Sequence, residues 1–304
     1  MNLAEFGALN TRDSLAGDGL TLRVGRFAAR IRSAVSFLGD DIFTLYGGAE
    51  VLTKGYFDFD IQLLKGTTIH RFYHPQVIFC FNGLQPFAPL PADQAVPLME
   101  WGMNWCVSNH YHKALIIHAA VVEKKGKAVV LPGRPGSGKS TLCSAMITMG
   151  GYRLLSDELT LIDPESGNIW PNPRPVSLKN QSIELVKQFF PEGKYSRTVS
   201  DTIKGKVCLM AAPQSSIDGA CQPAQPGLVV FPRYDTNLES YELSEMSNGQ
   251  AFLELANQSF NYSVLGKKGF GALGKHLDSA NSYIFKYGGD VREAIQVIDE
   301  LINA

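Results

Sequence analysis

Between residues 114 and 163 the apolar and polar positions fall into blocks that change from strand-like to helix-like and back. The run ALIIHAAVV (114–122) is apolar and partly β-branched, EKKG (123–126) is a turn, and KAVVLP (127–132) is a second apolar run, which together predict a hairpin. Pairing Val122 with Lys127 sets His118 opposite Leu131, one or two residues from Gly133. KSTLCSAMITM (139–149) predicts a helix that Gly150 and Gly151 end with a left-handed cap. YRLLS (152–156) and LTLID (159–163) predict two more strands, the second closed by the turn PESGN. Strand, loop, helix and strand in this order predict an α/β unit with a right-handed crossover, whose two strands run parallel.

Elsewhere the pattern is looser. TLRVGRFAARI (21–31) and FDFDIQLL (57–64) are strand-like, and the proline-dense LQPFAPLPADQAVP (84–97) marks a boundary. The expected division is a β-rich region of unknown role over 1–97 and a chemistry-bearing domain over 98–304. LMEWGMNWCVSNHY (98–111), SIELVKQFF (182–190) and GQAFLELANQSF (249–260) predict helices, and GLVVFP (227–232) predicts a strand. A last helix opens at Asp290 and Glu293 in capping-box spacing, and the glycine-rich SFNYSVLGKKGFG (259–271) is expected as a loop.

Composition narrows the class. The chain has 304 residues, 45% apolar and 19% charged, enough for a sizeable core. Its net charge of −1 gives no global attraction for nucleic acid or an anionic membrane, so anion recognition must be local. The five scattered cysteines form no C-x-x-C pair and the N-terminus has no signal-like segment, so a cytoplasmic protein with reduced thiols is expected. No uninterrupted apolar run is long enough to span a bilayer.

The segment GRPGSGKS (133–140) fits G-x-x-x-x-G-K-[ST] between a strand and a helix, the context a phosphate-binding loop requires. Glycines at 133, 136 and 138 permit positive φ and bring backbone N–H groups up to an anion, with Pro135 at the apex where no donor is required. The amides of Gly136, Ser137, Gly138, Lys139, Ser140 and Thr141 also begin the helix, whose positive end adds attraction. Lys139 is expected at the β and γ phosphates of ATP, and Ser140 at Mg²⁺.

Asp157 and Glu158 follow at the end of the next strand, on the sheet edge that the loop occupies. A carboxylate there holds Mg²⁺, directly or through water, or accepts the proton of an attacking hydroxyl. Alternation along a strand sends the two to opposite faces, which favours Asp157 as the acting group; the competing reading is a pair of solvated turn acids.

LIIHAAVV, GRPGSGKST and RLLSDE, in this order and spacing, resemble the catalytic domain of HPr kinase/phosphorylase, a P-loop fold shared with phosphoenolpyruvate carboxykinase. EWGMNWC, LPGRPGSGKSTLC, RLLSDELTLI, PRPVSLKNQSI, DTIKGKV and GLVVFPRY resemble the HprK-related kinase A group more closely. The resemblance implies an α/β P-loop kinase core. It also implies transfer of phosphate from ATP, with Mg²⁺, to a hydroxyl of a protein or peptide acceptor, with oligomers common among relatives. It further implies that Asp157 deprotonates or orients that hydroxyl and that His118, Lys139 and Ser140 match family site residues. Such kinases usually carry two aspartates where this chain has Asp157 and Glu158, so a metal role for Glu158 departs from the pattern.

Phosphoryl transfer also calls for a cation near the transferred group, and Arg174, Lys179, Lys204, Lys206 and Arg233 are the candidates. The spacings of His70 with His74 and His110 with His112 suit zinc, but no further residues complete a tetrahedral set. The alternative function is a nucleotide-binding regulatory or switch ATPase module, although neither NKxD nor LSGGQ occurs.

Overall fold

In the computed structural model, which describes residues 1–71, 73–134 and 136–303, the N-terminal strand-like runs build a five-stranded sheet. Helices α1 (Leu3–Phe6) and α2 (Ala8–Ala16) precede β1 (Leu20–Val24) and β2 (Phe27–Ser33). Helix α3 (Leu38–Tyr46) carries the chain over to β3 (Phe59–Lys65), which lies parallel to β2, and β4 (Gln76–Phe81) and β5 (Leu90–Pro91) complete the sheet. The region expected to be β-rich therefore also holds helices, of which α3 is the crossover that the parallel β2–β3 pair needs. Pro135, placed above at the loop apex, lies outside the described residues.

Helix α4 (Ala95–His110) is apolar around most of its circumference, and such a helix has to be enclosed. Its residues Leu98, Met99, Met103 and Cys106 share one buried cluster with Ile61 and Phe79 of the first sheet and with Leu159, Leu161 and Leu209 further along. Gly102 permits the approach, since a Cβ there would overlap the Phe79 ring. The expected boundary at 97 and 98 falls in the first turn of this helix, and the core runs across it.

The main sheet follows. Strands β6 (Leu115–Lys124) and β7 (Lys127–Pro132) form the hairpin, and α5 (Lys139–Thr148) leads to β8 (Arg153–Ser156) and β9 (Leu159–Ile162). After β10 (Ile169–Trp170) come β11 (Val176–Lys179), α6 (Gln181–Phe189), β12 (Val199–Thr202), β13 (Gly205–Met210) and α7 (Gln214–Asp218). Then β14 (Gln225–Tyr234), β15 (Tyr241–Glu245), α8 (Asn248–Asn257), α9 (Tyr262–Leu265), α10 (Lys267–Asp278), β16 (Asn281–Tyr287) and α11 (Val291–Asn303) close the chain. The eight-stranded sheet runs β10-β9-β6-β7-β14-β16-β15, with β8 also on β6, and a small sheet runs β11-β13-β12. This is a mixed α/β protein with several sheets.

Strand alternation puts helices on both faces. Val129 and Leu131 of β7 with Leu228 and Val230 of β14 pack against Leu142 and Met146 of α5 and Ile298 of α11. Val130 and Val229, one residue out of step, pack with Leu255 of α8 and Leu273 of α10. The glycine-rich stretch expected as a loop is instead α9 and α10, broken at Gly266, whose φ is +53°. No helix among the described residues is long and apolar enough to cross a membrane.

Two details of register matter. Val122 pairs with Val129, not Lys127, a shift of two residues that keeps every side chain on its predicted face and carries His118 past the last β6–β7 pair, Ala119 with Pro132. Strands β7 and β8 run in the same direction, as expected, but both pair antiparallel with β6, which lies between them.

Candidate active site

The loop after β7 is held from behind. The Tyr234 amide donates to the Ser137 carbonyl at 3.1 Å, and the Tyr287 hydroxyl donates to the Gly138 carbonyl at 3.2 Å. With those carbonyls tied to the ends of β14 and β16, the loop turns through left-handed residues, Gly136 at φ 88° and Gly138 at φ 85°. A Cβ at Gly138 would overlap the Tyr287 hydroxyl, so glycine is required there both for φ and for space. Gly133 differs from expectation: its φ is outside the left-handed range, and its lack of a side chain instead makes room for Ser137, whose Oγ would lie 2.5 Å from a Cβ.

The first bond of α5 runs from the Leu142 amide to the Gly138 carbonyl at 2.9 Å. The amides of Lys139, Ser140 and Thr141 precede it, so they lack intrahelical acceptors and mark the positive end of the helix. Such an end draws an anion.

Asp157 and Glu158 occupy the break between β8 and β9, where the ladder to β6 is interrupted. The break cancels strand alternation, so both acids reach one group of lysines instead of opposite faces. Asp157 is buried; its Oδ2 accepts from the Ser177 amide at 2.9 Å, while its Oδ1 has no donor among the described residues. Burial first and the Glu158 charge second push its carboxyl above the usual range, against the pull of Lys139, the Ser177 amide and Lys179. Glu158 moves the other way. Burial alone would raise it, but Lys204, Lys179, Lys139 and His118 together hold it below the usual carboxylate range. Its Oε2 accepts from the Asn104 amide at 2.5 Å and its Oε1 lies 3.9 Å from the Lys179 ammonium.

The cations respond in kind. Desolvation lowers the half-buried Lys139 amine, opposed by the charges of Asp157 and Glu158. Lys204 is likewise lowered, first by desolvation, and its ammonium sits 4.9 Å from the centroid of Trp101. His118 pairs with Leu159, meets Phe260 edge-on at 5.7 Å, and is lowered to about 4 by burial and then by Lys139, so its ring is neutral at pH 7.

Of the five candidate cations, Arg174 is already committed. Its guanidinium is buried, donating to the Asn104 carbonyl oxygen and to the Glu100 carboxylate, both at 2.5 Å. Lys206 and Arg233 do not figure among the charges acting on either acid, leaving Lys179 and Lys204, the latter itself exposed, as the cations coupled to them. Between α4 and the acids lies a cavity of about 20 Å³, lined by Trp101, Asn104, Asp157, Glu158, Arg174 and Ser177, room for one water or hydroxyl.

Several site residues carried no sequence signal. Gln258 accepts from the Gly133 amide at 3.0 Å through its side chain and from the His118 amide at 2.8 Å through its carbonyl, yet it is 125 residues from the glycine. Tyr287 is likewise remote, 149 residues from Gly138, while Asn104 and Ser177 lie within EWGMNWC and PRPVSLKNQSI but were not singled out there.

Neither a family model nor a curated protein matches the sequence. Among solved structures, the matches include the Hpr(Ser) kinase/phosphatase from Coxiella burnetii, 12% identical over 62% of this chain and 88% of that one, with a TM-score of 0.27. At that score the likeness carries no weight for fold or activity.

Proposed function

We propose that the chain is a P-loop kinase that moves the γ-phosphoryl group of ATP to a hydroxyl, of serine for preference, on a protein or peptide acceptor. One observation carries this reading: a buried aspartate with a raised pKa and a free oxygen shares a charge cluster with a lysine at the start of a helix that follows a left-handed glycine loop. Two carboxylates whose environments drive their pKa values apart are what an acid–base site needs.

In this reading the amides of residues 136–141 cradle the phosphates and Lys139 reaches the β and γ oxygens. Asp157 Oδ1 accepts the proton of the acceptor hydroxyl as its oxygen bonds to phosphorus and the bond to the β-phosphate oxygen breaks, releasing ADP. Glu158 stays ionised and keeps the lysines in register. Lys179 and Lys204 offset charge on the equatorial oxygens, and neutral His118, tied through its amide to the Gln258 that also holds Gly133, offers an uncharged hydrogen-bonding group beside the loop. Ser140, Asp157 and Glu158 would hold Mg²⁺, Asp157 through a bound water, which leaves a lone pair of its Oδ1, an oxygen without a donor among the described residues, for the acceptor hydroxyl. An ion held by these residues would supply positive charge to offset that of the phosphates. Residues 98–304 form the catalytic part, with 1–97 as an accessory region.

The test is incubation of purified protein with Mg-ATP and candidate acceptor proteins, read by intact-mass spectrometry, with Lys139→Ala as control. Wild type is expected to add phosphate. Lys139→Ala loses a charge-assisted contact worth about 1.5–3 kcal/mol, so nucleotide binding weakens by about ten- to a hundredfold. Tight nucleotide binding with no acceptor modified would favour the regulatory ATPase module.

A further inference from the structure

Helix α3 of the N-terminal region is joined to the acids by an unbroken line of hydrogen bonds. The Tyr46 hydroxyl donates to Glu100 Oε1, Glu100 Oε2 accepts from Arg174, Arg174 donates to Asn104 Oδ1, and Asn104 Nδ2 donates to Glu158 Oε2. Tyr46, Glu100 and Arg174 are buried. A guanidinium has donors only, so it fixes the Asn104 amide with its carbonyl toward Arg174 and its NH₂ toward Glu158; a flip would set donor against donor. Tyr46 in turn supplies the second Glu100 oxygen with a donor, completing a buried ion pair that would otherwise leave an acceptor unmet.

The line also gives a reason for glutamate at 158. The acid must span from the β8–β9 break to Asn104 on α4, and the extra methylene supplies reach that aspartate lacks.

We propose that Tyr46, Glu100, Arg174 and Asn104 are positioning residues for Glu158, and that the N-terminal region thereby shapes the metal end of the site. The inference rests on the nucleotide and Mg²⁺ reading above. Partners that orient a metal-holding group typically govern metal affinity by about ten- to a hundredfold.

The experiment titrates Mn²⁺ into the full-length protein saturated with ADP, for wild type, Asn104→Ala, Tyr46→Phe and Glu158→Gln, and measures ADP affinity separately without metal. Asn104→Ala is expected to weaken Mn²⁺ at least about tenfold, and Tyr46→Phe about threefold, with metal-free ADP affinity unchanged. Failure of wild type to bind ADP would defeat the nucleotide reading itself. ADP binding with Mn²⁺ affinity equal in wild type and Tyr46→Phe or Asn104→Ala would overturn the positioning role alone, as would an unchanged Glu158→Gln. Loss of metal-free ADP affinity in step with Mn²⁺ affinity would mark a general structural effect and also overturn it. Tyr46→Phe keeps the ring and its packing, so the test survives if Asn104→Ala does not fold.

Discussion

Replacing Asp157 with asparagine should make the protein more stable and less able to transfer phosphate. One carboxylate oxygen keeps the Ser177 amide, but the other is buried with no donor among the described residues, a condition that costs about 1–3 kcal/mol. Asparagine retains an oxygen for the Ser177 amide and points an NH₂ into the space shared with Ser177 Oγ, itself without a partner, and Glu158. Asp157→Asn therefore recovers about 1–3 kcal/mol when the acid is ionised, or about 2–6 °C in Tm for a chain of this size. The pH dependence follows from the raised pKa. The folded state keeps its proton to higher pH than the unfolded chain, so wild-type stability from this group falls as pH rises above the ordinary carboxylate range. The gap between variant and wild type opens upward from that range and closes below it. Differential scanning fluorimetry from about pH 3 to about pH 8, which starts below the ordinary carboxylate range, reads the gap, and mass spectrometry reads transfer, expected to fall by about 10²–10⁴. A variant less stable than wild type, or a gap that ignores pH, would refute the buried-ion account; unchanged transfer would remove Asp157 from the chemistry.

Gly138→Ala puts an L-residue in the left-handed region and against Tyr287, for a cost of about 2–4 kcal/mol, seen as a lower denaturation midpoint together with weaker ATP binding. His118→Gln tests the neutral ring. With a folded value of about 4 against an ordinary 6.5, wild type binds fewer protons when folded and loses stability as pH falls through that window, a loss the variant lacks in urea titrations at both ends. Arg174→Met and Lys204→Met separate two cations that look alike in sequence. The first strands the buried Glu100 and costs about 3–5 kcal/mol by chemical denaturation, whereas the second leaves the midpoint in place and slows transfer by about tenfold or more. Equal stabilities for the two variants would contradict the buried pair.

The amino-acid order alone was enough to predict the β6–β7 hairpin, helix α5 and the strand after it, because strand alternation, turn residues and a left-handed glycine cap are local. Gly151, at φ 70°, is the left-handed residue after α5 that the glycine pair predicted. The glycine loop was legible for the same reason. Tertiary packing decided the rest. The two-residue register of the hairpin depends on neighbours across the sheet, and the glycine-rich 259–271 segment became helix because residues such as Ala272, Leu273 and Leu277 of α10 are buried with α8 against the main sheet. Whether Arg174 or Lys204 is free to act was likewise undetermined by the chain order, since it turns on Glu100 and Trp101, far away in sequence. Backbone preferences act over a few residues, whereas charge pairing and burial act over a few ångströms, and only the folded chain converts the second into a choice among side chains of the same kind.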